Sequence, residues 1–129
     1  MKKIPTALHA MMVYTSAAIL IAAPWIFKFN DVGTATWLCV IAGLMITVLI
    51  SLFTRYEGGL VRVLPMRIHL LTDVVLGVFL ILSPWIFGFA QYTYLFHLAM
   101  GLTALLSGLW TVPYVRSDAM TVQTQYNKN

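Results

Sequence analysis

The chain has 129 residues, of which 60% are hydrophobic and 9% charged, and its mean hydropathy is +0.86. Soluble domains carry about 25% charged residues, so a soluble globular protein is excluded and the length is counted in membrane spans. The net charge of +4 speaks of orientation and anionic headgroups. No basic run is interleaved with aromatics, so nucleic acid is not a partner.

A hydrocarbon core of about 30 Å needs roughly 20 apolar residues as helix. After a short N-terminus, residues 1–7, four stretches meet that length. The first hairpin, 8–53, holds spans at about Leu8–Phe27 and Thr34–Phe53. A loop, 54–67, leads to the second hairpin, 68–112, with spans at about Ile68–Phe87 and Tyr92–Val112. Residues 113–129 form a polar tail. The runs are long and do not alternate, so they are helices, not barrel strands. Met1-Lys2-Lys3 before an apolar run ending at Ala22-Ala23 has the outline of a secretory signal. Span one aligns with span three, which cannot be one, so retention is expected.

Lys2, Lys3, Arg55, Arg62, Arg67, Arg116 and Lys128 all fall on one side of this scheme, and Lys28 alone on the other. The positive-inside rule then makes both termini and the 54–67 loop cytoplasmic. Cys39 is the single cysteine, so no intrachain disulfide forms.

Residues 23–29 read APWIFKF and residues 83–89 read SPWIFGF. At the same offset of 60, His9 meets His69, Ala17 meets Gly77, and Leu20-Ile21 meets Leu80-Ile81. In the following helix the offset is 58, matching Gly43 to Gly101 and Leu44 to Leu102. The unit is a hairpin used twice in one direction, with a pseudo-twofold along the membrane normal. Pro24 and Pro84 remove a backbone donor and crowd the carbonyls of Leu20 and Leu80, which bends or ends each helix near the outer interface. Trp25 and Trp85 suit that boundary, and Phe27, Phe29, Trp37, Phe87, Phe89, Tyr92 and Tyr94 extend the belt. The corner is read as a structural device. A groove between two corners is the alternative.

Ser83-Pro84-Trp85 within a two-helix unit resembles the SPW repeat of small bacterial membrane proteins, over about residues 8–53 and 68–112. The first copy departs from the pattern at Ala23, in place of serine, and at Lys28, where the second has Gly88. The resemblance implies a bacterial four-helix protein of the inner membrane. It brings no catalytic residues.

Asp73 is the one acid inside a span, which makes it a functional candidate. It lies about six residues into span three, roughly 9 Å at 1.5 Å per residue, so an interfacial anchor or a bond to a neighbouring helix is expected. A proton or cation site is the sharper reading. His69 lies one turn back on the same face. The equivalent of Asp73 in the first unit is Val13, so the acid is not part of the duplicated design. His9 and His69 share one membrane depth and could ligate haem b or serve a quinone. His97 falls near the opposite surface, and with Met100 makes a weak copper pair. His97, Gly101, Ala104 and Gly108 form one stripe, and with Ala17, Gly43 and Gly77 they are the expected helix-packing positions. The stripe packs within the monomer or against another subunit. Gly58-Gly59 is a turn.

No nucleophile–base pair, metal quartet or phosphate loop is visible. The expected fold is an all-α membrane protein of two hairpins. The expected function is non-catalytic: a scaffold or accessory subunit without cofactor, packing with itself or a larger complex and with lipid. The alternatives are a small ion or proton pathway using Asp73, and a haem- or quinone-binding redox subunit using His9 and His69.

Overall fold

The computed structural model describes residues 3–114 and 124–127, so the 113–129 tail lies largely outside the described residues. Helix α1 spans Thr6–Ile26 and α2 spans Gly33–Leu44, continuing as a π-helical segment, Met45–Ser51. Helix α3 spans Met66–Ile86 and α4 spans Leu95–Trp110. Among the described residues there is no named strand, only isolated bridges pairing Ile4 with Thr111 and Thr54 with Leu64. Thr6–Ile26, Gly33–Ser51 and Met66–Ile86 are long and apolar enough to cross a membrane, the character of a multi-pass membrane protein. The fourth helix, at 16 residues, is shorter than the Tyr92–Val112 span that hydropathy suggests. Thr111 has turned extended, at φ −78° and ψ 141°, to pair with Ile4.

Both long odd-numbered helices start behind a proline, Pro5 (φ −65°) and Pro65 (φ −62°). Proline presets the helical φ and lacks an N–H, so it suits a helix entrance. The second proline of each sits in the last turn. There the chain closes with a bond from the Phe29 N–H to the Pro24 carbonyl, and from Phe89 to Pro84, both 2.9 Å. This is the Schellman closure, which needs a left-handed residue just past the helix. Gly88 supplies it at φ +71°, whereas Lys28 takes φ +56° with a side chain to accommodate.

Pro84 leaves the Leu80 carbonyl without its usual N–H. The Ser83 hydroxyl donates to that carbonyl at 2.9 Å, fully buried. Serine before proline therefore replaces the bond that proline removes. Ser83→Ala is expected to lower stability by about 1 kcal/mol, read as a reduced thermal midpoint in detergent. Ala23, in the first copy, has no hydroxyl to make this bond.

Small residues let the paired helices touch backbone to backbone. A Cβ on Gly101 would come within 2.6 Å of the Gly77 carbonyl oxygen, and one on Gly77 within 2.6 Å of the Leu105 nitrogen. Gly43 meets Ile21 and the Ala17 carbonyl, and Gly108 meets the Leu70 carbonyl. Of the two packing arrangements open to the stripe, the structure thus has Gly101 and Gly108 facing α3 inside the monomer. Ala104 is half-buried. Trp25 and Trp85 are exposed at 59% and 57%, outside the bundle at one end.

The π-helical segment has a counting explanation. Equivalent residues are 58 apart at Gly43 and Gly101 but 57 apart at Thr54 and Thr111. The first hairpin therefore carries one residue more over this stretch, and a π-turn absorbs one residue without rotating the chain beyond it. The ends remain equivalent: the Arg55 N–H bonds the Leu64 carbonyl at 2.8 Å, and the Val112 N–H bonds the Ile4 carbonyl at 3.0 Å.

Candidate functional site

At the end of the bundle that carries the loop after α2, four hydroxyl and imidazole groups form two matched pairs. The Thr54 hydroxyl donates to the Ile50 carbonyl at 2.7 Å and lies 2.8 Å from His69 Nδ1. The Thr111 hydroxyl donates to the Ser107 carbonyl at 2.6 Å and lies 3.0 Å from His9 Nδ1. Each hairpin's last residues thus hold the other hairpin's first histidine. This reciprocity arises from the crossed pairing of Thr54 with Leu64 and Thr111 with Ile4.

The two rings meet on the pseudo-twofold. His9 Nε2 and His69 Nε2 are 3.3 Å apart, with ring planes at 70°. Asp73 Oδ2 completes the cluster, 3.1 Å from His9 Nε2 and 3.5 Å from His69 Nε2. His9 and His69 are 0% exposed and Asp73 4%. The acid is therefore enclosed by protein rather than lying at a surface. Its partners are the histidine one turn back and one from a neighbouring helix. Haem ligation by two histidines puts them on opposite faces of a macrocycle, and a 3.3 Å gap filled on one side by a carboxylate holds no macrocycle.

Tyr56 roofs the cluster, its ring centroid 5.3 Å from that of His69 and 6.5 Å from that of His9. Burial pushes its phenol above the ordinary range, so it stays neutral. The loop is drawn down over the site by Tyr14, which donates to the Gly58 carbonyl at 2.6 Å, and by Thr6, which donates to Glu57 Oε1 at 3.0 Å. A Cβ on Gly59 would collide with the Thr54 carbonyl, so the Gly58-Gly59 turn is also a close-approach point.

The other end holds a third pair. Cys39 and His97 are 58 residues apart, at the same offset as Gly43 and Gly101. Cys39 Sγ lies 3.3 Å from His97 Nε2, which also lies 3.2 Å from the Ala35 carbonyl. Phe29 and Phe89 pack on the same imidazole. His97 is thus apart from the other histidines and engaged with α2. Met100 packs against the apolar core.

A protein-family model, that of the SPW repeat domain, matches residues 7–111. The chain belongs to the SPW repeat family. The SPW match runs through both hairpins and ends at Thr111, the residue that holds His9. No curated protein and no solved structure matches the chain. In this SPW protein the motif itself, at Ser83, Pro84 and Trp85, caps a helix, while the polar centre lies at the far end of the same helix.

Sequence reasoning brought His9, His69 and Asp73 to one region but missed Thr54 and Thr111. The signal was available: both are threonines at equivalent hairpin ends, once the offset is allowed to slip by one. The Cys39–His97 pair was also available at offset 58.

Proposed function

We propose that this is a non-catalytic integral membrane protein of the bacterial inner membrane, a scaffold or accessory subunit that packs with itself or with a larger complex. It crosses the bilayer four times, with both termini and the 54–67 loop cytoplasmic. The observation that supports this reading is the closure of the bundle. Beyond Asp73 the interior is filled by Leu20, Leu80, Pro24 and Pro84, each fully buried. The cavity that Asp73 lines measures about 20 Å³, room for one water molecule. Among the described residues this filling speaks against an ion pathway through the centre of the bundle. The outer surface offers a face for such packing, where Trp25, Trp37 and Trp85 stand exposed.

The 16-residue α4 is about 24 Å long at 1.5 Å per residue, and its extended ends complete a crossing of a bilayer that thins slightly around it. Two measurements on intact membranes test the proposal. On a Cys39→Ala background, single cysteines replacing the exposed Leu60 and Asp31 should label from the cytoplasmic and the outer side respectively. Crosslinking or single-molecule photobleaching should find a homo-oligomer or a copurifying partner. External labelling at position 60 would reverse the topology. A strictly monomeric protein without company would refute the scaffold role.

A further inference from the structure

The chemistry at the junction of the repeats goes beyond a packing role. Thr54 and Thr111 each spend their single hydroxyl proton on a backbone carbonyl, of Ile50 and of Ser107. Each hydroxyl oxygen can then only accept from the imidazole beside it. Both histidines therefore carry their proton on Nδ1 and present a bare lone pair on Nε2. Those two lone pairs face one another at 3.3 Å and share Asp73 Oδ2 at 3.1 and 3.5 Å. Asp73 Oδ2 is buried without a hydrogen-bond partner. Three acceptors converge on one buried point, and among the described residues no donor is aimed at it. Such an arrangement is costly unless a cation occupies the point.

We propose that His9, His69 and Asp73 bind one divalent first-row transition-metal ion of the Zn²⁺ type, which clasps the two SPW repeats together. All three ligand atoms lie within 4.8 Å of one another. A tetrahedral ion with bonds of ~2.0 Å spaces its ligand atoms ~3.3 Å apart, and the three separations here centre on that value. Two imidazoles and one carboxylate favour such an ion over Mg²⁺ or Ca²⁺, which take oxygen donors. Thr54 and Thr111 are the outer partners that hold each ring's tautomer and orientation. The fourth position would fall to a water, as at zinc sites with three protein ligands. Helices α1 and α3 belong to different repeats, so the ion joins them where small-residue packing does not.

The test uses the full chain in mild detergent, stripped with a chelator. Titration with Co²⁺ should saturate at one ion per chain, with the intense visible bands of a tetrahedral nitrogen–oxygen site, and Zn²⁺ should displace them. Zn²⁺ alone should raise the thermal midpoint, as ligands that bind only the folded state do. Asp73→Asn and His69→Gln should abolish the bands. Thr54→Val should weaken binding by about 10–100-fold, the range for losing an outer partner. If folded wild-type protein takes up no Co²⁺ and Zn²⁺ leaves its melting unchanged, the proposal is overturned and a shared proton occupies the site. Undiminished binding in folded Asp73→Asn would also overturn it. The wild-type titration decides the matter even if a variant fails to fold.

Discussion

Gly101→Leu is expected to leave no folded monomer to purify, and Gly101→Ala to cost several-fold more stability than an alanine at Gly33. A side chain at position 101 meets backbone. Its first carbon would lie 2.6 Å from the Gly77 carbonyl oxygen and 2.8 Å from the Ile81 nitrogen. Overpacking a core where side chains can shift costs about 1–3 kcal/mol. Here two helix backbones must separate, and every contact between α3 and α4 loosens with them. In lipid those contacts are a main source of helix affinity. Position 33 is open, with nothing within 4 Å of an added Cβ. Circular dichroism and monomer yield in detergent read the difference. Full helicity and yield in Gly101→Leu, with only an oligomer lost, would mean the glycine faces a neighbouring subunit instead.

The second expected result is a contrast between two deletions. Removing Leu49, inside the π-helical segment, should be tolerated, and removing Leu106 from α4 should not. Without Leu49 the segment can close as ordinary α-helix and still deliver Thr54 to His69, because the stretch from Gly43 to Thr54 then matches that from Gly101 to Thr111 residue for residue. Without Leu106, everything after it turns by about 100°. Thr111 leaves His9, the Ile4 pairing is lost, and His9 Nδ1–H becomes a buried donor without an acceptor, at about 1–3 kcal/mol for that group alone. Thermal midpoints of the two variants should differ by about ten degrees or more, an order-of-magnitude figure for a loss of ~3 kcal/mol in a chain of this size. Collapse of the Leu49 deletion would sink the insertion account.

Much of this architecture could be read from the sequence. Apolar run length gave the helices, and the doubled Pro-Trp string gave the hairpin as the unit. The offset of 60 set His9 opposite His69. Burial was harder to read than position. Counting residues from the start of span three set Asp73 near a boundary, yet boundary and exposure are different things. Tyr56 and the loop behind it roof that end, so a residue close to the helix start is 4% exposed. The threonines were missed because Thr54 sat at the rim of a loop and Thr111 one residue from the end of a span, where hydropathy carries no signal about a side-chain bond. The inserted residue then hid their equivalence. The serine in the motif was legible only as a pattern until the Leu80 carbonyl it serves came into view.

The polar centre has one feature that the duplication alone could not have made. His9 and His69, Thr54 and Thr111 come in twos, as symmetry requires. Asp73 does not, since Val13 stands across the axis from it, also buried. Two separate copies of one hairpin, assembled as a homodimer, would present that position twice, with two acids or with none. Two carboxylates a few ångströms apart in an apolar interior repel, and none leaves only the two imidazoles as ligands for the proposed ion. Joining the hairpins in one chain lets the two positions vary independently within a single gene. One half could acquire the acid while the other kept a hydrocarbon, so that a symmetric frame came to hold a single negative charge on its own axis.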